Sequence, residues 1–189
     1  MDLLLNQAFL CVVEMCKQHN IDESHALKHS LDVFSFAKQL CTDEVSHQLR
    51  VIYVASIVHD MCDKKYMDED IGTTEIRKYL VHFMTSEELD AVLLIITNMS
   101  YSKVKKKGFP VLNEWQHAYH IVREADLLAS YDIDRCIIFG MLKEHLGYIQ
   151  ATERAKKMYE VRVLNYIKDG MFITKKGLTK AKELHMKYN

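Results

Sequence analysis

Four side chains of the types that bind divalent metal ions lie where the sequence should be apolar. His59 and Asp60 directly follow the apolar run VASIV (54–58). His29 and Asp126 each lie on an apolar helical stripe. A buried carboxylate is costly unless it is paired, and a divalent cation pairs with carboxylates while accepting lone pairs from neutral imidazoles. Each side chain could instead be satisfied separately by hydrogen bonds, but that explanation is needed three times independently, so we predict a metal site.

The stripes follow from spacing. Residues three and four apart share one face of a helix, which places His29 with Val33 and Ala37, and Asp126 one helical step from Val122. Three inward-facing helices would therefore bring the His29 side chain, the His-Asp pair and the second carboxylate into the interior.

The whole chain reads as helical, because apolar residues recur at three and four and there are only six glycines and one proline. We predict an all-α single domain over 1–189 with about eight to nine helices, the last of them (151–189) packing onto the rest. The expected helices are 2–18, 24–41, 44–61, 71–83, 86–99, 114–131, 133–146, 151–168 and 174–187. The run 101–113 is predicted to be a long loop, and the segment 51–58 a central buried helix.

Composition narrows the class of protein. With 49% hydrophobic and 27% charged residues in 189, the chain is typical of a soluble globular domain. A net charge of −1 gives no overall attraction to nucleic acid or an anionic membrane, and no apolar run is long enough to span a bilayer. Five scattered cysteines without a CxxC pair indicate reduced thiols. We therefore expect a cytoplasmic protein.

Several segments together resemble the HD-domain metal-dependent phosphohydrolases. HALKHSLDV (25–33) resembles the HDxxHxxRV helix of that superfamily, and ASIVHDMCDKK (55–65) resembles its ALLHDIxDxK segment. IITNMSYSK and IVREADLLASYDI resemble two later segments of the superfamily, and MFITKKGLTKAKELH is similar to the ending of small bacterial-type HD hydrolases that act on nucleotides. The likeness spans roughly 22–187.

This resemblance implies an all-α HD fold that binds one divalent metal ion (Mn²⁺, Fe²⁺, Co²⁺, Ni²⁺ or Mg²⁺) through His29, His59, Asp60 and Asp126. It also implies hydrolysis of a phosphate ester or anhydride. Two positions depart from the pattern: Ala26 replaces the usual Asp, and Asp32 replaces the usual Arg, which would reverse a charge near the mouth of the site.

Further residues are candidates for catalysis and substrate binding. We predict catalytic roles for Asp63 and Asp60, with Asp63 orienting or deprotonating an activated water. The candidate substrate-binding residues are His25, Lys64, Lys65, Ser102 and Lys103. A second metal held by His82, His117 or His120 is a weaker alternative.

The leading hypothesis is a metal-dependent phosphohydrolase acting on a small phosphorylated substrate such as a nucleotide, either as a pyrophosphohydrolase or as a 5′-nucleotidase. The alternative is a degenerate HD module that binds a nucleotide or partner without turnover, as the replacement at Asp32 would allow. No nucleic-acid polymer or membrane is expected as a partner, and a homodimer is compatible with either hypothesis.

Overall fold

The computed structural model describes residues 1–41 and 48–187, and this part of the chain is all-helical. The ten α-helices are α1 (Asp2–His19), α2 (Leu27–Leu40), α3 (Leu49–Val58), α4 (Glu69–Leu80), α5 (Ser86–Asn98), α6 (Tyr101–Lys107), α7 (Gln116–Ala129), α8 (Ile133–Leu142), α9 (Tyr148–Val161) and α10 (Lys175–His185). The all-α prediction is confirmed, with ten described helices instead of eight to nine. The predicted start of the third helix at 44 lies outside the described residues.

The largest error concerns the predicted loop 101–113. Its first half is helix α6, which follows Ser100 and ends at Gly108, where φ is +79°. Val104 is buried against the core and anchors this short helix. The predicted loop therefore begins only after α6, and it leads into α7 through a short 3₁₀ helix, Asn113–Trp115.

Helix α3 is the centre of the bundle, as predicted. Its residues Val51, Ile52, Val54, Ala55 and Ile57 are almost completely buried. Helices α1, α2, α5 and α7 pack around it. A helix that is apolar on nearly every side is expected at such a position, and its carboxyl end delivers the next two residues of the chain to the interior.

A glycine on α4 sets how closely the chain after that end can approach its neighbour. Gly72 is buried, and an added Cβ would lie 2.6 Å from the Met61 carbonyl oxygen and 2.7 Å from Cys62 Cα. Only a residue without a side chain fits there. The contact fixes the turn that follows the His-Asp pair.

Hydrogen bonds to a buried carboxylate hold the carboxyl-terminal segment against α7. Glu124 accepts hydrogen bonds from the backbone N–H groups of Ile173 (2.6 Å) and Thr174 (2.9 Å). The neighbouring Arg123 is also fully buried and donates to the Met171 carbonyl. Helix α10 therefore begins at a fixed place on α7. Within residues 1–41 and 48–187, none of the helices combines the length and apolarity needed to cross a membrane.

We expect Gly72→Ala to lower the free energy of unfolding by about 1–3 kcal/mol, because the new methyl group overlaps backbone atoms that cannot move independently. Helix propensity alone would favour alanine by about 1 kcal/mol, so the sign of the change is informative. Urea unfolding followed by circular dichroism measures it. Thr74→Ala, at an exposed position of the same helix, is the matched control, and an equally or more stable Gly72→Ala protein would contradict the close contact.

Candidate metal centre and pocket

Three helices position the predicted metal-binding residues. His29 lies in the first turn of α2, His59 and Asp60 directly follow α3, and Asp126 lies on α7. Helices α2, α3 and α7 pack against one another. The four side chains consequently meet at one point in the interior.

The donor atoms of these side chains face each other at short range. The two imidazole Nε2 atoms, of His29 and His59, are 2.9 Å apart. Asp126 Oδ1 lies 3.3 Å and 3.6 Å from these two nitrogens, and Asp60 Oδ2 lies 3.4 Å and 3.3 Å from them. Both imidazoles are 1% exposed, while the two carboxylates are 15% and 25% exposed. The imidazoles thus form the floor of the site and the carboxylates its open side.

The hydrogen bonds of His59 fix which of its nitrogens can serve as a ligand. Its Nδ1 lies 2.9 Å from the Ser56 carbonyl oxygen, and because a carbonyl only accepts, Nδ1 carries the proton. When this ring is neutral, as a metal ligand must be, its Nε2 lone pair points toward Nε2 of His29. Metal-binding histidines are typically oriented in this way by a bond from the other nitrogen. The Nδ1 atom of His29 is buried and has no protein partner.

Electrostatics place one positive charge between two negative ones. Burial, with a smaller contribution from Arg135, lowers the pKa of His29 to about 3. Burial also acts against charge on His59, but the Asp60 and Asp126 carboxylates outweigh it and raise that pKa to about 9. Despite the burial of both carboxyl groups, the facing histidines hold the pKa values of Asp60 and Asp126 below the usual range. At neutral pH, one positively charged imidazole, that of His59, therefore lies beside two charged carboxylates and a neutral His29.

A divalent cation fits this arrangement of donors. Ligands that occupy adjacent positions about 2.1 Å from an octahedral metal ion are about 3.0 Å apart, and the nitrogen and oxygen atoms here are 2.9–3.6 Å apart. His29, His59 and Asp126 form a cluster that could hold a metal ion, with two nitrogen donors and one oxygen donor. Such an ion would replace the imidazole proton and balance both carboxylates.

Arg135, on α8, was missed by the sequence analysis. Its Nε donates to the Ser24 carbonyl oxygen, one terminal nitrogen lies 3.3 Å from Asp60 Oδ2, and the other lies 3.9 Å from Asp126 Oδ1. No motif marks this arginine. The only sequence signal is the short interval after Asp126, which returns the start of α8 to the site.

His25 belongs to a polar network beside the metal-binding residues. Its Nε2 lies 3.2 Å from Lys65 Nζ, and its Nδ1 lies 2.6 Å from Ser24 Oγ and 3.0 Å from the Tyr66 hydroxyl. Both hydroxyls donate to the Asp22 carboxylate at 2.5 Å. Burial lowers the pKa of His25 to about 4, so the ring is neutral at pH 7 and accepts a hydrogen bond from the ammonium group.

The other predicted residues lie around the pocket mouth. Asp63 accepts from the backbone N–H of Lys65 at 2.9 Å and lies 3.2 Å from its Nζ. Lys64 and Lys103 lie 3.6 Å and 3.5 Å from the carboxylate of Glu69. The Ser102 hydroxyl lies 3.0 Å from that of Ser100. All of the predicted catalytic and substrate-binding residues line the same pocket.

The pocket has a volume of about 690 Å³ and opens above His59, Asp60 and Asp126. Beyond the predicted residues, its walls are built from α8, α9 and the following segment, including Phe139, Glu144, Arg154, Arg162 and Tyr166. These residues were missed because they carry no motif. His82, His117 and His120 do not line the pocket.

Asp32, the charge reversal relative to the HD pattern, does not line the pocket either. It forms an ion pair with Lys28 one turn earlier on α2. The expectation that this reversal lies at the mouth of the site is therefore wrong. Since α2 turns this side chain away, the reversal does not change the charge of the pocket wall.

Comparison with known proteins finds similarity in structure only. No protein-family model and no curated protein matches the sequence. A Lactobacillus plantarum protein solved by structural genomics superimposes with a TM-score of 0.73 at 16% identity, covering 100% of this chain and 94% of that one. Bacillus subtilis YpgQ superimposes with a TM-score of 0.64 at 22% identity, covering 98% of this chain and 93% of that one. These likenesses show that the chain shares its all-helical fold with both proteins.

Proposed function

We propose that this protein is a metal-dependent phosphohydrolase that cleaves a phosphate ester or anhydride of a nucleotide or a similar small phosphorylated metabolite. One observation carries the proposal: two imidazole nitrogens and two carboxylate oxygens converge within 2.9–3.6 Å at the inner end of an open pocket. A site built only for stability would more economically contain apolar side chains.

His29, His59 and Asp126 would hold the metal ion, and Asp60 is proposed as its fourth ligand. When bound, the ion would polarise a phosphoryl oxygen and lower the pKa of water. Asp63 is the proposed acceptor of the proton from that water. A carboxylate has about four lone-pair sites, and the contacts of Asp63 with Lys65 leave part of that capacity for a water molecule.

The size of the pocket and the cationic side chains among its walls support a nucleotide as the proposed substrate. Its volume of about 690 Å³ falls in the range of roughly 300–1,000 Å³ typical of small-molecule sites. Cationic side chains suited to phosphate oxygens line it, namely Lys64, Lys65, Lys103, Arg135, Arg154 and Arg162. Aromatic side chains on the same walls, Phe139 and Tyr166, offer surfaces on which a base could pack.

We expect the protein to release orthophosphate or pyrophosphate from a panel of nucleotides when Mn²⁺, Mg²⁺, Co²⁺ or Ni²⁺ is added, and to stop when EDTA removes the ion. Asp126→Asn should lower the rate at least about 100-fold and weaken metal binding, because a charged ligand is lost. The product distinguishes the two reactions: pyrophosphate indicates a pyrophosphohydrolase and orthophosphate a 5′-nucleotidase.

Asp134→Asn is the matched control, since Asp134 is an exposed aspartate of α8 that does not line the pocket. Metal content is measured on all three proteins. Release that persists in EDTA or in Asp126→Asn would contradict the proposal. Metal binding without any release would favour the module that binds without turnover.

We further expect Asp32→Arg, which restores the residue type of the HD pattern, to change the rate by less than about twofold. The side chain pairs with Lys28 on the surface of α2, and such exposed pairs contribute only about 0–1 kcal/mol. Steady-state kinetics of the wild type, Asp32→Arg and the control variant Asp32→Asn would measure the change in rate. A rate that rises tenfold or more in Asp32→Arg but not in Asp32→Asn would show that this position acts on the site. Such a result would support the alternative of a degenerate HD module.

A further inference from the structure

Arg135 differs from the lysines of the pocket in how firmly it is held. Its side chain is 18% exposed, whereas those of Lys64, Lys65 and Lys103 are 67%, 49% and 44% exposed. The lysines also have carboxylate partners at the pocket mouth, either Glu69 or Asp63. Arg135 instead lies at the inner end of the pocket beside the proposed metal ligands.

The contacts of Arg135 leave part of its guanidinium free. An arginine has five N–H donors. Nε donates to the Ser24 carbonyl and one terminal nitrogen donates to Asp60 at 3.3 Å, while the contact with Asp126 is long at 3.9 Å. The bond to the backbone fixes the plane of the group. A planar fork with free donors matches the oxygens of a phosphoryl group better than a lysine does.

We propose that Arg135 is the anion-binding residue of this site, with a guanidinium that shares its N–H groups between the ligand carboxylates and a phosphoryl oxygen of the substrate. This inference rests on the proposed function and adds to it the residue that recognises the phosphate. It also assigns to one half-buried arginine the role predicted from the sequence for Lys64, Lys65 and Lys103.

This arrangement has two effects of opposite sign. A unit positive charge within 3.3–3.9 Å of the two ligand carboxylates repels a divalent cation that binds to the same oxygens. The same charge attracts an oxyanion. Removal of the charge should therefore strengthen metal binding and weaken phosphate binding, whereas a residue that only supports the fold would weaken both when it is replaced.

Binding experiments without turnover test the inference. Calorimetry measures the affinity of Mn²⁺ for the full-length protein, and then the affinity of inorganic phosphate for the Mn²⁺-loaded protein. For Arg135→Gln we expect Mn²⁺ affinity to rise roughly 3- to 10-fold and phosphate affinity to fall at least about tenfold. For Arg135→Lys, which keeps the charge but loses the fork, Mn²⁺ affinity should stay within about twofold while phosphate affinity falls.

Arg77→Gln is the control, because Arg77 pairs with Asp90 on another face of the protein and does not line the pocket. Both of its affinities should stay within about twofold of the wild type. If Arg135→Gln weakens both affinities, or changes neither, Arg135 is not the anion-binding residue, although the proposed function stands. If wild-type protein fails to bind Mn²⁺, the metal site and this inference both fail. Arg135→Lys decides the matter should the glutamine variant not fold.

Discussion

Two imidazole nitrogens that face each other at 2.9 Å inside a protein need a proton or a metal ion between them. Lone pairs on both nitrogens would repel, and the two carboxylates that flank them would remain uncompensated in a medium of low polarity. Either a shared proton or a metal ion meets this requirement. A proton supplies one positive charge against two negative ones, whereas a divalent ion balances the carboxylates and is bound by both nitrogens. The donor set therefore favours a metal ion over a purely structural network.

The rest of the bundle serves to place these donors. Helix α3 is buried on nearly every side, so its end cannot shift without disturbing the four helices around it. The backbone after Asp60 is held against α4 at Gly72, where no side chain would fit. The bond from His59 Nδ1 to the Ser56 carbonyl sets the orientation of that ring. Rigid elements position ligands more precisely than loops do, and here all four candidate ligands lie on or directly after helices that share one core.

The sequence predicted the parts of this arrangement that depend on local periodicity. An inward-facing His29 and Asp126 follow from apolar stripes at spacings of three and four, and the central helix follows from its continuous apolar run. The position of Arg135 beside the site could not be predicted, because it depends on the direction in which α8 returns after the turn, and no local pattern encodes that direction. Helix α6 was missed for a related reason: the lysine-rich segment YSKVKKK has a single buried anchor, Val104, and too few apolar residues to show a helical stripe. The side chain of Asp32 was misplaced because a motif position does not specify which way its helix turns that side chain.

A nearly neutral protein can still attract a polyanion if positive charge is concentrated at one site and appears there only when a metal ion binds. The chain carries a net charge of −1, and the cationic side chains of the pocket are interspersed with carboxylates such as Asp63, Glu69 and Glu144. When the imidazole pair carries one positive charge, that charge and the charge of Arg135 balance the two negative carboxylates, so the inner end of the pocket has no excess positive charge. Replacing the proton by a divalent ion adds one positive charge at the same place. In the proposed hydrolase, such a pocket would attract a phosphoryl group only after the ion has bound, and metal binding would then be a condition for substrate recognition as well as for chemistry.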